Sequence, residues 1–165
     1  MATKLPDKRA VHDALLTALR ASLEKLARGA EETRKGAVHE EGRSEGDKDM
    51  RATEQSYVAR GQAMRVEDLA EQVQRLEATK PEPFGAKDKI AAGALVRVSL
   101  DDDEERLFYV SAFGGGTGVA VGKSKVIVVT PRSPVGAALC GKARGDSFEL
   151  AVSGKLREWS IEEVG

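Results

Sequence analysis

Two apolar stripes, one on each side of a single acidic turn, constrain this chain more than any other feature. Val11, Leu15, Leu16, Leu19, Leu23, Leu26 and Ala30 recur at spacings of three and four, which is one face of a helix. Ala59, Val66, Leu69, Val73 and Leu76 repeat the pattern beyond residues 42–54, GRSEGDKDMRATE. Stripes of similar length around one glycine-containing turn bury each other by folding back as an antiparallel two-stranded coiled coil, so that the turn becomes the tip of a rod. Leu16, Leu19, Leu23, Leu26 and Ala30 keep a strict seven-residue repeat, which predicts a seam rather than a globular face.

Pro6-Asp7 marks the start of the first helix. Toward the tip its stripe fades to Thr33, Ala37 and Val38 and meets Gly36, so that end is expected to be looser than the base. The second helix is predicted to begin near Asp49 or Arg51 and to stop by Thr79, because Pro81 and Pro83 forbid its continuation. At roughly 1.5 Å per residue, about thirty helical residues make a rod of about 45 Å.

Composition shifts along the 165 residues and separates a helical hairpin, 1–79, from a linker, 80–89, and a second domain, 90–165. The hairpin is dense in Glu, Lys, Arg and Ala; the second domain holds Phe108, Tyr109, Phe113, Phe148 and Trp159. The linker KPEPFGAKDK carries Phe84, which can pin it to the second domain. With 26 basic against 27 acidic residues there is no overall electrostatic footprint for nucleic acid or an anionic membrane. The single cysteine, Cys140, excludes an internal disulfide and reads as a small core residue. No apolar run is long enough for a signal peptide or a membrane span, so a cytoplasmic protein is expected.

In the second domain the period changes to two. Residues 94–100 and 106–111 read as an antiparallel pair around the solvated turn 101–105, 118–121 as a short strand and 125–129 as a central one. Pro131-Arg132-Ser133-Pro134 introduces a short helix, 135–140, closed by Gly141; 147–152 and 156–161 form a last hairpin around Ser153-Gly154. About five strands and one helix give an α+β domain with a twisted antiparallel sheet.

This order, and above all Ser133-Pro134, Gly136, Ala137, Leu139, Gly141-Lys142 and Gly145-Asp146 in one run, resembles the Gre family of bacterial transcription elongation and transcript-cleavage factors. Glu45-Gly46-Asp47 followed by Glu54, Tyr57, Ala59 and Gln62 is similar to that family's tip and returning helix, and the resemblance spans roughly residues 8–164. It implies an FKBP-like second domain and a monomer that is no enzyme by itself. It also implies that core RNA polymerase is the partner, bound through Arg132, Ser133 and Pro134 at the rim of its secondary channel. The tip carboxylates, Asp47 and Asp49 and less so Glu45, would then help hold Mg2+ shared with the polymerase near the 3' end of the nascent RNA. Such help is needed because magnesium keeps most of its waters and binds few protein carboxylates.

The tip departs from the family pattern. A cleaving tip places a Glu three residues after its Asp, on the same side of a helical turn, and three residues after Asp47 stands Met50. Asp49 with Ala52 is also similar to the tip of DksA-type regulators, which enter the same channel without cleaving RNA. A non-cleaving regulator, DksA-like or opposed to Gre factors, is therefore the alternative.

Other readings are weaker on their residues. His12 and His39 lack a second His or Cys at ligand spacing. Residues 114–118 are glycine-rich without the Lys-Ser/Thr and helix of a phosphate loop. Ser133 has no His and Asp partners and suits a helix N-cap. A peptidyl-prolyl isomerase or chaperone would need an aromatic-lined pocket, whereas the few aromatics present are needed for the core. A coiled coil formed between two chains is the structural alternative.

Overall fold

A computed structural model describes residues 3–41 and 48–165. The chain divides into two compact units: residues 1–18 with 79–165, and residues 19–78. Helix α1 (Lys8–Glu41) takes part in both, and α2 (Lys48–Ala78) lies in the second.

The first unit is built on six strands: β1 (Leu95–Leu100), β2 (Glu104–Val110), β3 (Gly118–Val121), β4 (Ser124–Val129), β5 (Ser147–Val152) and β6 (Lys155–Val164). One short helix, α3 (Pro134–Leu139), precedes β5. The strands lie in the order β3-β4-β2-β1-β6-β5 and are mostly antiparallel, as the α+β reading expected. One pairing differs: β4 runs parallel to β2, in register from Leu107 opposite Val126 to Val110 opposite Val129. The glycine turn after β2 carries the chain out to the edge strand β3, and β4 returns between the two, which fixes its direction.

One face of the sheet carries Val96, Val98, Leu100, Phe108, Trp159 and Ile161 under Leu139 of α3 and Ile90. Phe108 and Phe148 both lie against Trp159, with ring centroids 5.7 and 5.6 Å away. Phe84 and Cys140 pack at the margin of this cluster, so the proline-rich segment is pinned to the sheet.

All six residues of β1 are buried, the polar Arg97 and Ser99 included. The other face is closed as well. Tyr109, next to Leu95 in register, is met there by His12 from the first turns of α1, where Val11 and Leu15 are fully buried. Asp7 opens that helix, its carboxylate accepting from the Arg9 amide at 3.1 Å. Arg97, also on this face, donates to Glu163 at 2.7 Å and to the Thr3 carbonyl, while Ser99 donates to Glu162 at 2.7 Å. A guanidinium can be buried here because each of these oxygens replaces lost water.

The second unit pairs α1 with α2 antiparallel. Arg20 donates through Nε and Nη2 to Glu77 Oε1 at 3.0 and 2.7 Å; farther along α1, Leu26 and Ala30 share a recess with Gln62. Arg34 and Glu31 meet Ala59 and Ala63 in another, so rising numbers on one helix face falling numbers on the other. The α2 side of the seam is Ala52, Gln55, Ala59, Gln62, Val66, Leu69, Val73 and Leu76, all shielded at alternating steps of three and four. Val and Leu fill the end near Leu76, and Ala and Gln the end near the bend.

Candidate functional site

The tip carboxylates lie at the edge of what the structure describes. Asp47 and Glu45 fall outside the described residues, and Asp49 belongs to the first turn of α2 with its side chain undescribed. Met50, where the family pattern has its second acid, stands on the same turn with its side chain largely in solvent. Among the described residues no group of three or more His, Cys, Asp or Glu is arranged to hold a metal ion.

The Arg132-Ser133-Pro134 loop is defined in detail. Ser133 caps α3: its hydroxyl accepts from the Gly136 amide at 3.1 Å and donates to the Thr130 carbonyl at 2.8 Å. Its own amide also donates to that carbonyl, at 3.0 Å. Pro134 stands at the first helical position, where a missing amide hydrogen costs nothing. Gly136 must be glycine, since a Cβ there would lie 1.8 Å from the Thr130 oxygen. Arg132 and Pro134 are thereby held exposed on a rigid corner.

The rest of the run that carries the resemblance is structural in the same sense. Gly141, at φ 83°, ends the helix and donates to the Ile90 carbonyl at 2.9 Å, while the Ile90 amide donates back to Lys142 at 2.8 Å. Gly145 has φ 90°, and the Asp146 carboxylate accepts from the Ala143 amide at 2.8 Å. Cys140 is half-buried, and burial pushes its thiol pKa up, away from the thiolate a nucleophile needs.

Phe108, Tyr109 and Trp159 are buried in the body of the unit, as core packing requires. A groove of about 910 Å³ runs along β3, β4 and β2 past Leu107, Val119, Val126 and Ile127, with Lys123 and Lys125 at its edge and no aromatic in its lining. His12, set aside as a ligand, is a buried partner of Tyr109 at 3.1 Å. Gln55 and Gln62, unremarked as seam residues, each bury a side-chain oxygen with no hydrogen-bond partner. Their seven-residue separation was the available signal.

No protein-family model matches the sequence, and no curated protein matches it either. Solved structures do. The prokaryotic transcription elongation factor GreA/GreB from Nitrosomonas europaea is 25% identical, with 60% of this chain and 78% of that one covered at a TM-score of 0.37. GreA factor homolog 1 (Gfh1) of Thermus thermophilus is 19% identical over 92% of this chain and 95% of its own, at a TM-score of 0.38. Gfh1 of Thermus aquaticus is 18% identical over 92% and 94%, at 0.39. Among the described residues no helix is long and apolar enough to cross a membrane.

Proposed function

We propose that this chain is a Gre-like accessory factor of bacterial RNA polymerase. The corner at Arg132, Ser133 and Pro134 docks at the rim of the secondary channel, and the bend between α1 and α2 enters it to modulate elongation. The observation that carries this reading is the run from Ser133 to Asp146. Six of the nine residues behind the resemblance there, Ser133, Pro134, Gly136, Gly141, Gly145 and Asp146, answer a specific backbone demand, most sharply Gly136 with its 1.8 Å constraint. Six residues that agree in both spacing and structural duty are hard to obtain by chance from composition alone.

The protein acts as a cytoplasmic monomer and is no enzyme by itself. Asp47 and Asp49 are too few to bind magnesium alone, so any ion they help to hold takes its other ligands from the polymerase. The non-cleaving version is favoured by one observation: the position of the second acid is Met50, exposed on α2 rather than turned into the seam.

Pull-down against purified core polymerase tests the docking. A complex that Arg132→Glu weakens is expected, and absence of any complex at micromolar concentration overturns the reading. Asp47→Asn with Asp49→Asn should retain binding and change initiation or pausing with little change in cleavage. Unaltered transcription by that variant would remove the tip from the mechanism. Turnover of a proline peptide would instead favour the isomerase, and a dimeric mass by light scattering the interchain coiled coil.

A further inference from the structure

On the face of α2 turned away from the seam, one line of positions is apolar where a solvated helix would be charged. With Ala52, Ala59 and Val66 as one seam position and Gln55, Gln62 and Leu69 as the other, the outermost position falls on Met50, Tyr57 and Met64. These three side chains are 74%, 70% and 59% exposed, and Val58 beside them is 54% exposed. Of the corresponding outer positions on α1, Ala21, Arg28 and Lys35, two are charged and none is a large apolar residue. Met50 is therefore the first member of a series at exact seven-residue spacing and not a lone replacement of an acid.

From the polymerase reading above, on which this inference rests, we propose that Met50, Tyr57 and Met64 form a docking stripe that lies against an apolar strip of protein on the wall of the partner's channel. Fourteen residues at 1.5 Å each make the line about 21 Å long. Three such side chains offer on the order of 400 Å², comparable with the largest apolar patch of a typical monomer, which is often functional. That is about half of what each partner contributes to a stable standalone complex, so the stripe suits an arm already held elsewhere better than self-pairing. Its flanks carry charge of both signs, Glu54, Gly61 and Asp68 on one side and Thr53, Arg60 and Glu67 on the other, which gives phosphates no continuous basic track. Anchors seven apart on one helix are the pattern of a helix laid in an apolar groove, and methionine adapts to an irregular wall.

The test compares Met50→Gln/Tyr57→Gln/Met64→Gln with Arg28→Gln/Lys35→Gln in equilibrium binding of the full chain to core polymerase. At least ten-fold weaker binding is expected for the first and less than two-fold change for the second, with the helical circular dichroism of both unchanged. Met50→Leu/Tyr57→Phe/Met64→Leu should bind within two-fold of the unaltered chain. If the glutamine triple loses its helical signal, Tyr57→Gln alone decides, at about five-fold weaker. Binding by the glutamine variant within two-fold of the unaltered chain overturns the stripe and leaves the polymerase reading standing. No binding by the unaltered chain overturns both, and a dimer in sedimentation that the glutamine variant dissolves makes a second copy the occupant and overturns the proposal.

Discussion

Nδ1 of His12 lies 3.1 Å from the Tyr109 hydroxyl, with both side chains closed to solvent and the rings nearly perpendicular at 80°. The contact joins the start of the chain to the middle of the sheet. Tyr109→Phe removes the hydroxyl and leaves buried imidazole nitrogen without that partner, so a loss of about 1–3 kcal/mol is expected by urea denaturation. Burial also pushes the Tyr109 pKa up to about 12 from an ordinary 10. The unfolded chain then gives up this proton before the folded one does, and stability falls as pH rises from 10 toward 12. Tyr109→Phe should flatten that part of the profile; an unchanged slope would show that the phenol does not contribute.

The corner that carries Ser133 should respond steeply to small changes. Ser133→Ala loses the cap and is expected to cost about 1 kcal/mol. Gly136→Ala adds a single methyl that meets the Thr130 carbonyl 1.8 Å away, and should cost about 3 kcal/mol or more because backbone has to move. The order of the two urea midpoints checks the geometry, and an alanine at 136 as mild as that at 133 would contradict it.

Residue spacing made this corner legible in advance, because Ser-Pro followed by glycines has few local solutions. The helices were equally legible: the stripes from Leu16 to Ala30 and from Ala59 to Leu76 are those that pair. What local spacing could not reveal was anything decided by distant partners. The parallel pairing of β4 with β2 depends on where β3 lies, and Arg97 looked like the polar face of a strand until Glu163 and Thr3 enclosed it. His12 looked unremarkable on its helix because Tyr109 is 97 residues away. At the tip, the candidate acids Asp47 and Asp49 remain readable in sequence only.

The seam near the bend offers a gain in stability. Oε1 of both Gln55 and Gln62 is buried without a hydrogen-bond partner. Gln55→Leu and Gln62→Leu exchange a desolvated amide for apolar surface, and each should stabilise the helical pair by about 1–2 kcal/mol. Thermal unfolding followed at 222 nm should shift upward, by roughly 2–4 °C per kcal/mol for a chain of this size. A downward shift would mean that these amides are satisfied in solution.

The first hairpin turn admits a simpler improvement. Asp101 and Asp102 both have positive φ, 49° and 56°, and the Asp103 amide donates to the Leu100 carbonyl at 3.1 Å. Asp101 and Asp102 are thus the central pair of a turn with positive φ at both positions, inside a three-residue connection, and glycine suits the second of them. Asp102→Gly keeps the Asp101 carboxylate, which pairs with Arg157 at 2.7 Å, and relieves the left-handed strain at the next residue. A gain of about 1 kcal/mol is expected, and no gain would imply that the strain is already offset by hydrogen bonding.

The enclosure of Arg97 bears on how the protein can be made. Thr3 lies 94 positions before Arg97, and the Glu163 that completes its surroundings follows 66 positions after it. Both partners are therefore distant in sequence, and neither can be supplied by the hairpin in which Arg97 sits. Loop closure has to precede contacts this distant in sequence, so the enclosure of Arg97 belongs to the late steps of folding.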